Sequence, residues 1–261
     1  YENDKPFELE YFQSRLLRLK QRLELLTGNT ITNDGLHDAI EIYNRLRRLL
    51  KTISLARRGP GPSLTALDFE RLSHASLYVD PVVMVDILEA THERLLKAGR
   101  DSSGATLEGI HPTNANRPRL LLAGPNLAIG DYDLIGLISD AGAEVVIEDV
   151  FEGMRDYWHT VDPTGDPIEA LAKGYLVDKR PAAFMRRSLR PRLEFMLSLI
   201  RDFDVMGVVW YQLACCEFYD QDAYYFQNAL REHNIPMLVV ESDYHSLDCG
   251  PVRTRLAAFV E

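Results

Sequence analysis

Cysteine, tryptophan and positive charge are all scarce in this sequence of 261 residues, which has 3 Cys, 2 Trp and 29 Lys and Arg against 39 Asp and Glu. A small, odd number of cysteines gives no disulfide framework and fits a reducing compartment. The net charge of -10 argues against a nucleic-acid-binding surface, because phosphate contacts need clustered Lys and Arg. The one basic cluster, Arg45, Arg47, Arg48 and Lys51, lies in a segment rich in apolar positions and reads as a solvated helix face. No apolar run approaches the ~20 residues of a membrane-spanning helix. The chain opens YENDKPFELEYF, without the basic and apolar stretches of a secretory signal. A cytoplasmic location is therefore expected, and the missing Met at position 1 suggests a processed chain or a fragment.

Common catalytic signatures are missing too. GPNLAIG, from Gly124 to Gly130, has neither the GxGxxG spacing nor the terminal Lys-Ser/Thr of a P-loop. There is no CxxC, no HExxH among the seven His and no GxSxG nucleophile elbow.

What is present falls into two parts. With 46% hydrophobic residues the chain can bury a core without staples. Residues 7–27 place Phe12, Leu16, Leu19, Leu23 and Leu26 at steps of four and three, which predicts an amphipathic helix closed by Gly28. A second helix, capped near Thr32, carries Leu36, Ile40, Tyr43, Leu50 and Ile53 on one stripe. The short loop between them suggests an antiparallel hairpin, its apolar stripes packed against the sheet part or against protein outside this sequence. GPGPS (Gly59 to Ser63) reads as a breaker, and helices are expected over 64–75 and from Asp80-Pro81 to Lys97. Residues 99–117 read as a linker. The expected division is a helical region over 1–115 and an α/β lobe over 116–261.

In the second part, apolar runs at 119–123, 144–148, 205–210 and 237–241 alternate with helical stretches. That alternation predicts a parallel sheet covered by helices on both faces. Ligands gather at the carboxyl ends of such strands. The first expected end leads to Gly124-Pro125-Asn126 and the second to Asp149 and Glu152-Gly153-Met154-Arg155. The third leads to Cys215-Cys216-Glu217, and the fourth to Glu241-Ser242-Asp243-Tyr244. Polar loops are ordinary, and a single Cys is most often a buried packing residue. Four polar ends on one edge, one with two thiols, point to a site. On an extended backbone neighbouring side chains alternate, so one thiol can face a site while the other packs. From its place after the most apolar strand Cys216 is expected to face a cleft, and Cys215 to point into packing or along the neighbouring helix. Soft thiolates suit iron–sulfur or zinc, yet a cluster needs more ligands than this sequence offers near Cys216.

The ordered segments ELLTGNTITNDGLHDAIEIYNRLRRLL, RLLLAGP, GAEVVIEDVFEGMRDYW, PIEALAKGYL, DVMGVVWYQLACCEFYDQDAYYFQNALREHNIPMLVVESDY and GPVRTRLAAFVE resemble the later part of the subunits shared by (R)-2-hydroxyacyl-CoA dehydratases and benzoyl-CoA reductases. The resemblance implies a flavodoxin-like lobe and a [4Fe-4S] cluster held by cysteines from two lobes, with the N-terminal lobe outside this sequence. Cys216 matches the cysteine that members carry after this strand and is the implied iron ligand. Cys215, Glu217, Gln212, Tyr211, Asn126, Gly153, Arg155 and Asp243 become candidates to hydrogen-bond the cluster or face substrate; Phe151 stands where many members carry a further cysteine. The implied chemistry is low-potential one-electron reduction of an acyl-CoA thioester, with the benzoyl-CoA reductase type slightly preferred. A (R)-2-hydroxyacyl-CoA dehydratase subunit, or a structural or electron-relay subunit of the same assembly, is the alternative. Implied partners are a homologous subunit, in a heterodimer or larger complex, and a separate ATP-hydrolysing iron–sulfur activator, consistent with the missing P-loop.

Overall fold

The computed structural model describes residues 6–59, 61–100, 110–112, 116–150, 153–179, 188–243 and 249–261. The chain begins with helices α1 (Pro6–Thr27) and α2 (Asn33–Leu55), the second running into a 3-10 turn, Ala56–Arg58. Gly28, at φ 71°, ends α1 in a conformation that a Cβ would strain. Thr32 caps α2 by accepting from the amide of Gly35 at 3.1 Å. Strand β1 (Pro62–Leu64) leads to α3 (Ala66–Ala75), capped by Thr65, and α4 (Pro81–Arg100) follows with Pro81 in its first turn. Strand β2 (Ile110–Pro112) returns to pair antiparallel with β1.

The lobe continues with β3 (Arg119–Ala123), α5 (Asp133–Asp140), β4 (Glu144–Asp149), α6 (Met154–Tyr157) and α7 (Pro167–Lys173). Then come α8 (Leu189–Asp202), β5 (Gly207–Leu213), α9 (Glu217–Glu232), β6 (Met237–Ser242) and α10 (Cys249–Val260). The sheet order is β4-β3-β5-β6 and every pairing in it is parallel. Helices α5 and α10 pack with β4 and β6, while α9 packs with β5 and β6. The expected parallel α/β sheet flanked by helices is what forms. Its strands are so apolar because they are buried on both faces: Leu121, Leu122, Val146, Ile147, Val208 and Val209 are all inaccessible.

One core runs across the two parts of the chain, joining Leu50, Ile53, Phe69, Met84 and Leu88 to Leu121, Val146, Ile147 and Trp210. Three expectations are corrected. Helices α1 and α2 do not form a hairpin: α2 spends its stripe on α4, and α1 lies against α7. The short α7 covers only part of α1, so Leu19, Leu25 and Leu26 stay 54%, 82% and 82% exposed. The breaker and the linker each contribute a three-residue strand, β1 and β2, too short and too Pro-rich to show a period in sequence. Finally, β5 starts and ends later than expected, so Tyr211 and Gln212 belong to the strand and not to the loop beyond it.

Candidate functional site

Because the four strands are parallel, the turns after β3, β4, β5 and β6 share one edge. Backbone approach there is very close. A Cβ on Gly124, whose φ is 142°, would lie 2.1 Å from the Tyr211 carbonyl oxygen, so only glycine lets the chain leave β3 against β5. Tyr211 is fully buried, and its hydroxyl donates to the Asp131 carboxylate, tying β5 to the segment after β3. Gln212 holds the other side. Its side-chain oxygen accepts from the Trp210 indole at 3.1 Å, and its amide donates to the carbonyls of Leu213 at 3.1 Å and Cys216 at 3.2 Å. Gln212 therefore clamps the turn that carries the thiols.

In that turn the chain reverses. The Ala214 amide donates to the Ser242 carbonyl at 2.8 Å and the Cys216 amide to the Leu213 carbonyl at 3.1 Å. Cys215 takes the left-handed region at φ 64° and is exposed. Its expected burial is thus corrected, since the alternation argument requires an extended backbone and the backbone here turns. Cys216 is half-buried and opens α9, its carbonyl accepting from the amides of Tyr219 and Asp220, both at 3.1 Å. Glu217 follows as an exposed residue of the first turn.

Beneath the thiols, the Tyr219 hydroxyl is pushed up to about 12 by burial, against the pull of Arg192; Asp149, Asp222 and Cys216 add to the rise. The phenol thus sits among groups from β4, α9 and the thiol turn. Arg192 of α8 pairs with Asp222 of α9, whose carboxyl is raised by burial and pulled back by that pair. The other candidates divide. Asn126 is half-buried after β3, and Asp243 is exposed after β6. Gly153 is buried, where a Cβ would come within 3.3 Å of Val150. Arg155 lines a separate cleft with Arg47, Asp156, His159, Tyr175 and Lys179, which neither cysteine reaches. Phe151, Glu152 and Tyr244 lie outside the described residues. A cleft of about 490 Å³ opens at the opposite end of β4, among Leu67, Arg117, Ser139, Asp140 and Glu144, and none of the candidates lines it.

Among the described residues no three His, Cys, Asp or Glu side chains converge as a metal site. An iron–sulfur cubane takes about four thiolates, so the turn at 215–216 fits a share of such a ligand set and not the whole. The family model described as 2-hydroxyglutaryl-CoA dehydratase, D-component, matches residues 3–261. The chain belongs to that family. It is 28% identical over 256 residues to YjiM of Escherichia coli (strain K12), covering 96% of this chain and 63% of that one. It is 21% identical to the (R)-phenyllactyl-CoA dehydratase beta subunit of Clostridium sporogenes, over 97% of this chain and 63% of that one. To a benzoyl-CoA reductase subunit of Thauera aromatica it is 22% identical, over 96% of this chain and 62% of that one. The chain thus spans less than two thirds of the length of these curated relatives.

The chain also carries a group of residues that sequence reasoning missed, behind the end of β4. Arg57 makes a two-pronged ion pair with Glu148, at 2.5 Å for each arm, and their side chains are 2% and 1% exposed. Burial alone would make Arg57 give up its proton more readily; Glu148 more than reverses that, so the guanidinium stays charged. Nearby lie the buried Glu70, His74 and Tyr157, the last donating to the Ser54 hydroxyl at 3.3 Å. One signal was available: Glu148 is an acid inside a strand, EVVIED, that is otherwise apolar up to its ends.

Proposed function

We propose that this chain is the larger part of a subunit of an enzyme acting on CoA thioesters, and that Cys216 supplies one thiolate to an iron–sulfur cluster, of the [4Fe-4S] type, completed by ligands outside this sequence. The observation that carries the reading is the place of Cys216. It is half-buried, at the carboxyl edge of the sheet, in a turn fixed by Gln212, in a chain that matches the family over residues 3–261. The chemistry such a cluster supplies is one-electron transfer at low potential. The work of this chain is positional: Gln212 holds the turn, Gly124 lets the β3 exit lie against β5 at Tyr211, and the Arg192–Asp222 pair fixes α8 to α9, the helix that Cys216 opens. Hydrogen bonds around a thiolate tune its cluster, and in this reading residues around the turn supply them.

Partners in this reading are a homologous subunit, an acyl-CoA and a separate ATP-hydrolysing iron–sulfur activator, in the cytoplasm. Ring reduction of the benzoyl-CoA reductase type and 2-hydroxyacyl-CoA dehydration share this chemistry. Identities of 22% and 21% to relatives of the two kinds do not separate them, so both are assayed. The deciding experiment is anaerobic iron and sulfide analysis of the full-length protein. Cys216→Ser should lose iron and visible absorption, because a hydroxyl is a hard, poor substitute for thiolate, while Cys215→Ser keeps most of both. The reverse pattern assigns the wrong thiol, and full retention in both variants removes the cluster from this turn.

A further inference from the structure

We propose that Glu70, His74 and Tyr132 form a proton relay joining a buried carboxyl to the segment that follows β3 at the carboxyl edge of the sheet. Three contacts carry it. The His74 Nδ1 lies 2.7 Å from the Tyr132 hydroxyl, with the two rings stacked at 5.6 Å. Its Nε2 lies 3.8 Å from the Glu70 Oε2, one small side-chain adjustment from a hydrogen bond. That Oε2 is buried and has no hydrogen-bond partner, which is costly for a buried oxygen unless it finds one. His74, one helical turn on along α3, brings its Nε2 to that oxygen. Tyr132 is half-buried and directly precedes α5, next to Asp131, which accepts from Tyr211.

Four charged or titratable groups face the relay. Arg57 follows α2, Glu148 is on β4, Tyr157 on α6, and Arg71 of α3 lies 5.9 Å over the Tyr132 ring. Arg57 and Glu148 oppose each other at Glu70, so burial decides, and the carboxyl is pushed up to about 8. Burial also lowers His74, which keeps the imidazole neutral. At neutral pH the proton therefore sits on Glu70, and once the side chain closes the 3.8 Å gap it donates to Nε2. Nε2 is then the acceptor, so the remaining imidazole proton is on Nδ1 and donates to the Tyr132 oxygen.

Release follows from this arrangement with every atom accounted for. The Tyr132 hydroxyl proton leaves to water, the Nδ1 proton moves to the phenol oxygen, and the Glu70 proton moves to Nε2. One proton has left; Glu70 is a carboxylate, and His74 is the other neutral tautomer. Uptake is the same sequence reversed, and nothing is oxidised or reduced. This inference does not depend on iron or on the acyl group.

The test is imidazole 15N NMR of His74 in the full-length protein, titrated through pH 8. The expected result is the Nδ1–H tautomer below that value and the Nε2–H tautomer above it. Glu70→Gln should hold the Nδ1–H tautomer at every pH, because the carboxamide N–H keeps donating to Nε2. A single unchanging tautomer in the wild type, protonation of His74 to imidazolium near its ordinary 6.5, or a midpoint that survives Glu70→Gln would each overturn the relay. If Glu70→Gln does not fold, the wild-type titration decides alone.

Discussion

The ends of β4 and β5 lie on one edge of one sheet, yet they are built in opposite ways. Behind the end of β4, the charges Arg57 and Glu148 are sealed in the core and pair with each other. At the end of β5, the exposed Cys215 and half-buried Cys216 lie in a turn held by backbone and amide hydrogen bonds and are free of any disulfide. The difference separates a group that completes itself from one that, under the proposed function, is completed by ligands outside this sequence. A buried ion pair need not add stability, since desolvation offsets the attraction. What it does is punish any change that removes one half. The thiol turn should be tolerant, because its geometry comes from Gln212 and Gly124 and not from the thiols.

The largest expected effect tests the sealed end. Glu148→Ala leaves the Arg57 guanidinium buried and uncompensated, which should cost about 3–5 kcal/mol of unfolding free energy. Replacing both partners with apolar residues of similar volume, Arg57→Met with Glu148→Leu, should recover most of it. Urea unfolding of the wild type, the single and the double variant checks this. A single variant within ~1 kcal/mol of wild type would mean that water reaches the pair and the end of β4 is not sealed.

Much of this contrast was legible in the sequence on one side only. The apolar runs announced the parallel sheet, and the parallel sheet placed Cys216 at its edge with no structural help. The side of Cys215 was not legible, because it depends on a single backbone angle, φ 64°. The sealed end was nearly invisible. Arg57 and Glu148 are 91 residues apart, and Glu70 and His74 sit in ALDFERLSHA, which reads as an ordinary amphipathic surface helix. Patterning reports which face of an element is apolar; it does not report that a second layer of structure covers the polar face too. The α1–α2 hairpin failed for a related reason. Two stripes and a short loop allow a hairpin, but α4 offered α2 a better partner.

A middle-sized effect concerns Glu70 and pH. Its folded value of about 8 lies above the ordinary carboxyl value of 4.5, so its contribution to stability is whole below 4.5 and is lost as pH rises through 8. His74, lowered from 6.5, acts in the opposite sense: its contribution is present above 6.5 and is lost as pH falls. The two oppose each other below 6.5, so the clean window for Glu70 runs from there to 8. Stability of the wild type should fall across that window, with a limiting slope of about 1.4 kcal/mol per pH unit for one proton. Glu70→Gln should flatten it. Equal slopes in the two proteins, measured by urea unfolding at a series of pH values, would show that Glu70 does not hold its proton in the fold.

The smallest effect tests the tolerant end. A left-handed non-glycine residue costs roughly 1–2 kcal/mol in local sterics, while glycine avoids that cost but loses more chain entropy on folding. At Cys215 the thiol is exposed, so removing it sacrifices little packing. Comparing Cys215→Ala with Cys215→Gly cancels the loss of sulfur and isolates the backbone angle. The glycine variant should be more stable than the alanine variant by about 1 kcal/mol, and both should keep the Cys216 turn, because the clamp from Gln212 reaches the Cys216 carbonyl and not residue 215. Iron content of the full-length variants reads out the turn, and urea midpoints read out the strain. If alanine proves the more stable, the turn is not left-handed in solution and the thiols alternate across an extended chain after all. If both variants instead lose iron as Cys216→Ser is expected to, Cys215 is itself a ligand, and the β5 end is less tolerant than its surface position implies.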